Sequence, residues 1–192
     1  MKKLLQFASL LLLFLCASAS CTQPASEVET ARAGVGTYAP GTAAAATTVY
    51  VVRHAEKDIS NPHDQDPDLN DEGKARAEAL RALLQDVELN ALYATRYART
   101  KSTLRPLAEE RNLEIATYSA NDFLGLKERL LQDHAGQQVV VAGHSNTVLP
   151  LVQAFGAKSN MSHIPETQYG YIFKVTMTPG KAATVEIEKY DN

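Results

Sequence analysis

Beyond the N-terminal segment, two stretches of this 192-residue chain, Thr48-Val49-Tyr50-Val51-Val52 and Gln138-Val139-Val140-Val141-Ala142, are dominated by consecutive β-branched apolar residues. A strand with one wet face alternates apolar and polar side chains. A strand apolar on both faces must be covered twice, as in a parallel sheet with helices on either side. The chain between and around these runs alternates accordingly. Residues 71–87 predict a helix capped by Asn70, with Ala75, Ala79, Leu80, Leu83 and Leu84 on one face. Ala91-Leu92-Tyr93-Ala94 predicts a strand. A helix follows at about 97–111, where Pro106 predicts a kink or a later start. Leu113 to Thr117 reads as a strand. Asp122 to His134 reads as a helix, with Asn121 or Asp122 as cap and Gly136 beyond its end. Asn146 to Phe155 is helical with a local fault at Pro150, and strands close the chain at about 170–177 and 183–189. Strands alternating with helices imply βαβ units. The expected fold is therefore an α/β three-layer sandwich, its central sheet mostly parallel, with helices on both faces.

The N-terminus follows other rules. Lys2 and Lys3 precede the apolar run Leu4 to Leu15, and Ala17-Ser18-Ala19-Ser20 follow. A positive head, a short apolar middle and a small-residue exit make a secretory signal over 1–20. The run is shorter than the about 20 residues of a membrane span. Cys21 stands directly after it and resembles the lipidated cysteine of the bacterial lipobox, although Ser18 stands where that pattern prefers Leu. Two destinations are open: a periplasmic or outer-envelope lipoprotein held to a membrane by lipid on Cys21, or a soluble secreted protein cut after Ala19. Residues 21–46, rich in Ala, Thr, Gly and Pro, bury too little to order themselves and read as a flexible linker. The domain is expected at 47–192.

Composition removes several functions. The formal net charge is −3 with acids and bases interspersed, so no basic field exists to hold nucleic acid. Cleavage of the signal takes Cys16 and leaves at most Cys21, so the domain has no disulfide, thiolate metal site or cysteine nucleophile. The run His63-Asp64-Gln65-Asp66-Pro67-Asp68 is open to reading as a metal loop or as a polar lid. The lid is preferred, and neither metal nor cofactor is expected.

Ligands of such sheets sit beyond the carboxyl ends of the strands. Arg53-His54 and Gly143-His144 lie at the ends of the two most apolar strands, so two histidines from distant parts of the chain reach one rim. Arg99 lies near the start of the second helix. Two arginines and two histidines in one cleft would form a cationic site in an acidic protein. Guanidinium forks match the paired oxygens of a phosphoryl group, and imidazole is a nucleophile toward phosphorus.

These residues carry a family resemblance. Val51-Val52-Arg53-His54-Ala55-Glu56-Lys57 resembles the Arg-His signature of the histidine phosphatase superfamily, whose fold is phosphoglycerate-mutase-like. Leu69-Asn70-Asp71-Glu72-Gly73 is similar to the Leu-Thr-x-x-Gly that opens its first helix. Tyr93-Ala94-Thr95 through Arg99-Thr100 and Thr103 resembles the second-arginine segment, and Gly143-His144-Ser145-Asn146-Thr147 the second-histidine segment. The four follow the family's order over about 47–190. The short region between the third and fourth strands resembles the compact branch, which includes small phosphohistidine phosphatases. The resemblance implies that His54 attacks phosphorus and forms a phosphohistidine. Arg53, Arg99 and His144, with Ser145, would hold the phosphoryl oxygens, and water would complete hydrolysis.

The proton donor to the leaving group has two candidates. Glu56 lies two residues after His54 and is favoured; Asp122 is available but suits a helix cap equally well. A phosphohistidine or phosphoanhydride substrate would need neither. The expected function is an exported, metal-independent, acid-type phosphatase acting on a small phosphorylated substrate. A phosphohistidine protein phosphatase and a non-catalytic phosphate-binding envelope protein are the alternatives. Tyr169, Tyr171 and Phe173 are expected as strand and core residues, and specificity is expected in the loops 56–70 and 157–169.

Overall fold

The structure, a computed structural model, describes residues 45–190. The signal segment 1–20, Cys21 and nearly all of the 21–46 linker lie outside the described residues. Among those described, strands and helices alternate: β1 (Thr47–Arg53), α1 (Asp71–Leu83), β2 (Ala91–Ala94), α2 (Ala98–Arg111), β3 (Ile115–Thr117), α3 (Phe123–Asp133), β4 (Gln138–Gly143), α4 (Val148–Ala154), β5 (Tyr171–Met177) and β6 (Thr184–Lys189). They form one sheet in the order β3-β2-β4-β1-β5-β6. The first four strands run parallel, as their helical crossovers require, while β5 and β6 add antiparallel pairs at one side.

Strand alternation divides the interior into two cores. Tyr50 and Val52 of β1 face one side with Leu92, Val140 and Ala142, where Leu80, Leu104 and Leu107 of α1 and α2 cover them. Val49 and Val51 face the other side with Tyr93, Val139 and Val141, beneath Leu126 and Leu130 of α3 and Leu151 of α4. The apolar runs are thus buried on both faces, and the expected three-layer α/β sandwich is the observed fold.

Three local expectations change. The buried stripe of α1 is Gly73, Ala77, Leu80 and Leu84, whereas Ala75 and Leu83 are exposed. Spacings of four, three and four residues keep one helical face, and Leu83 lies a third of a turn beyond it. Pro106 sits inside α2, which runs unbroken past it. Leu104 and Leu107 are fully buried on either side, and that packing outweighs one missing backbone donor. The fourth helix starts later than expected, at Val148, because Thr147 and Val148 first close a turn onto the His144 carbonyl.

Candidate active site

β1 and β4 are adjacent and in register, with Arg53 opposite Gly143. The next residues therefore emerge side by side. His54 N donates to Gly143 O at 2.9 Å, which continues the ladder one residue beyond the strand. Gly143 has a steric reason: a Cβ there would lie 2.9 Å from Thr147 Oγ1 and 3.2 Å from the Tyr118 hydroxyl. Thr147 Oγ1 in turn accepts from His144 N. A second tie joins β1 to α2, since Ala55 N donates to Thr103 Oγ1 and Thr103 donates to Arg99 O. One threonine thus holds the His54 segment against the turn that carries Arg99.

The convergence expected from sequence is present. His54, His144, Arg53, Arg99 and Ser145 line one cleft of about 390 Å³, a volume suited to a small ligand. A larger groove of about 640 Å³ near Thr47 offers lysines but no histidine or carboxylate, and so no acid–base pair.

His54 is 5% exposed, and its ring centroid lies 5.4 Å from that of His144. Its Nδ1 lies 2.7 Å from Ala55 O, an atom that can only accept, so Nδ1 carries the hydrogen and Nε2 keeps its lone pair. Burial first, then the charges of Arg99, His144 and Arg53, pull its pKa down to about 3 against the pull of the Ala55 hydrogen bond. The ring is neutral at pH 7.

His144 is held by a chain of hydroxyls whose direction can be derived. Thr100 has one hydroxyl hydrogen, and the carbonyls of Tyr97 at 2.8 Å and Thr95 at 3.2 Å take it. The 2.9 Å contact between the two threonine hydroxyls is then donated by Thr95. That spends the Thr95 hydrogen, so His144 Nε2–H is the donor in its 3.0 Å contact with Thr95. Burial, with Arg99 and Arg53 adding to it, lowers His144 to about 4.

The arginines are only partly satisfied. Arg53 NH1 donates to the carbonyls of Pro165, Glu166 and Gln168, and its NH2 pairs with the Glu166 carboxylate at 2.8 Å. Arg99 NH1 lies 3.6 Å from Asp66. The Nε–H groups of both are buried and find no partner among the described residues. A buried donor left without a partner costs about 1–3 kcal/mol, so neither arginine is fully satisfied by the fold alone. Tyrosine rings fix both planes: Tyr169 lies 4.0 Å from the Arg53 guanidinium and Tyr97 lies 4.4 Å from that of Arg99.

Glu56, expected as proton donor, is placed elsewhere. Its carboxylate takes Arg76 Nε at 2.8 and 2.9 Å and Arg76 NH2 at 2.7 Å, and it is absent from the cleft lining. The chain turns after His54 so that Glu56 faces α1. Asp122 caps α3 by accepting Gly125 N at 3.0 Å; its neighbour Asn121, and not Asp122, lines the cleft. Tyr169, expected in the core, is a cleft residue instead, because the chain reaches β5 only at Tyr171. The loop His63 to Asp68 spends its carboxylates on turns and on Ala98 N. Among the described residues no cluster of three or more His, Cys, Asp or Glu is arranged for a metal ion. Sequence reasoning missed Glu166, which accepts from Ser145 Oγ at 2.7 Å, and the helpers Thr95 and Tyr97. Thr95 and Tyr97 were accessible in principle, lying between a strand end and Arg99. Glu166 had no local signal.

Residues 49–120 match the model of the histidine phosphatase superfamily, branch 1. No curated protein matches the chain. Among solved structures, the protein histidine phosphatase SixA complexed with tungstate is similar, with TM-score 0.61, 19% identity, 74% of this chain and 96% of that one covered. YhfR of Bacillus stearothermophilus is similar with TM-score 0.57, 18% identity and 74% and 96% covered. The mycobacterial glucosyl-3-phosphoglycerate phosphatase Rv2419c follows with TM-score 0.58, 13% identity and 76% and 99% covered. The chain is thus similar to the histidine phosphatase superfamily over residues 49–120, and its domain has the fold of these solved structures.

Proposed function

We propose that this chain, a histidine phosphatase in its matched segment and in its fold, is an exported, metal-independent enzyme that hydrolyses a small phosphomonoester through a phosphohistidine on His54. One observation carries the reading. His54 has its tautomer set by Ala55 O, and it lies in the same cleft as two arginines whose buried Nε–H groups are unused. Nε2 attacks phosphorus; Arg53, Arg99 and Ser145 take the phosphoryl oxygens, and His144 joins them by gaining a proton on Nδ1 as the anion arrives. Phosphoryl transfer needs little beyond positioning and charge stabilisation, and here cationic side chains supply both. The low pKa of His54 keeps the nucleophile free of a proton in mild acid, which favours an acid-type profile. Export rests on the signal at 1–20, and membrane attachment on Cys21; the mass of the mature N-terminus tests both.

The decisive assay is phosphate release from p-nitrophenyl phosphate with EDTA present, wild type against His54→Ala. We expect wild-type turnover unaffected by EDTA and a loss of at least about a hundredfold in the variant. Equal release from both proteins would favour a non-catalytic phosphate binder. A phosphohistidine peptide hydrolysed in preference to every small ester would favour the protein phosphatase.

A further inference from the structure

Glu166 is the one carboxylate among the described residues lining the cleft. Its side chain is 79% exposed while that of Arg53 beneath it is 4% exposed, so the acid stands at the mouth and the nucleophile segment at the floor. Its two oxygens accept from Arg53 NH2 at 2.8 Å and Ser145 Oγ at 2.7 Å. Those are groups the proposed function assigns to the phosphoryl oxygens. The carboxylate therefore occupies part of the place a phosphoryl group would take. The backbone beneath it is separately held, because Arg53 NH1 binds the carbonyls of Pro165, Glu166 and Gln168 at 3.1, 2.9 and 3.0 Å. The side chain can swing away without the loop losing its anchor.

We infer that Glu166 is the proton donor to the leaving group, brought into that role when the substrate's phosphoryl group displaces it from Arg53 and Ser145. The inference rests on the phosphatase reading and adds a catalytic residue to it. The direction of attack supports it. In-line displacement sends the leaving oxygen out opposite His54 Nε2, toward the mouth, where Glu166 stands. The other candidate acids are occupied: Glu56 by Arg76 and Asp122 by its helix end. The Ser145 hydrogen bond, then Arg53 and Lys57, hold the Glu166 carboxyl below its ordinary range. When Ser145 and Arg53 turn to the phosphoryl oxygens, those donors are lost and an anion arrives beside it. Both changes raise its affinity for a proton, which it takes from solvent.

The steps balance. The His54 Nε2 lone pair forms the N–P bond as the ester P–O bond breaks. The electron pair leaves on the ester oxygen, which takes the Glu166 proton and departs as the alcohol. Water then attacks phosphorus and releases one of its protons to solvent, from which Glu166 is reprotonated. The N–P bond breaks, its pair returns to Nε2, and phosphate leaves. Nδ1–H stays on Ala55 O throughout.

The test compares wild type with Glu166→Gln on two esters, glycerol 2-phosphate and p-nitrophenyl phosphate, with acid-quench trapping of the phosphoenzyme. An alkoxide needs a proton to leave; p-nitrophenolate does not. We expect kcat on glycerol 2-phosphate to fall by about a hundredfold or more and kcat on p-nitrophenyl phosphate to change by less than about threefold. Orthophosphate should inhibit the variant at a severalfold lower concentration, because its competitor for Arg53 is weakened. Falls of equal size on both esters, or no fall on either, would overturn the assignment. Phosphoenzyme trapped from p-nitrophenyl phosphate in both proteins, with glycerol 2-phosphate turned over equally, would remove Glu166 alone. No phosphoenzyme in the wild type would remove the phosphatase reading itself.

Discussion

At the scale of single residues, two glutamates near the nucleophile differ in what holds them. Glu166 is exposed and held by an arginine and a serine that substrate would claim. Glu56 is buried against Arg76, the two side chains being 10% and 11% exposed. Removing one member of such a pair strands the other charge in a dry place. Glu56→Gln should therefore cost about 3 kcal/mol of folding stability, seen as a lower urea midpoint, because Arg76 keeps its charge with only the exposed Glu72 carboxylate, 3.8 Å away, to balance it. Its kcat on alkyl phosphates should stay within about threefold of wild type. A hundredfold loss at unchanged stability would return Glu56 to the proton-donor role. The two arginines that line the cleft are likewise specialised. Arg53 spends NH1 on holding a loop and NH2 on the Glu166 carboxylate, a division that lysine, with its single charged nitrogen, could not reproduce.

At the scale of elements, the site depends on how closely α1 approaches the turn after β1. Asn70 caps α1 through Gly73 N, and Asn70 N donates to Glu56 O at 3.0 Å. A Cβ on residue 73 would lie 2.2 Å from that same carbonyl oxygen. Backbone occupies the space, so no rotamer change can relieve the clash. Gly73→Ala should push α1 outward and drag residues 54–56 with it. The expected outcome is a loss of both Tm and kcat/KM, with no rescue by saturating substrate, because Nε2 itself is displaced. Unchanged kinetics would show that the turn tolerates movement of the helix. The glycine of Leu69-Asn70-Asp71-Glu72-Gly73 is thus explained by contact with the nucleophile segment rather than by helix propensity.

At the scale of the molecule, the two site histidines tie stability to pH. Both have folded pKa values below 6.5, at about 3 and about 4. Between those values and 6.5 the unfolded chain binds more protons than the folded one, so stability rises with pH across that window and is lost on acidification. Carboxylates held low in the fold, such as Glu166 and Asp68, add their own loss only lower, through and below the ordinary carboxylate range. The urea midpoint should fall from pH 7.5 to pH 5, and the fall should be smaller in His54→Asn/His144→Asn. An equal fall in both proteins would place the acid sensitivity elsewhere. The same burial that costs stability in acid keeps the nucleophile neutral, so function and stability draw on one property of the cleft.

The strands and the meeting of His54 with His144 were legible in the chain itself. β-branched runs, caps and crossover lengths are local signals, and adjacent parallel strands bring their ends to one rim. The helix faces were legible only roughly, since Leu83 and Leu84 are equally apolar and packing alone selected Leu84. The carboxylate that meets the cleft was not legible at all. Glu56 is two residues from the nucleophile, yet its side chain turns to Arg76. Glu166 lies 113 residues from Arg53 and is drawn to it by loop carbonyls on a buried guanidinium. Nearness along the chain sets which strand end a residue occupies. The direction of its side chain, and the path of a loop across a site, are set by hydrogen bonds between residues that only folding brings together.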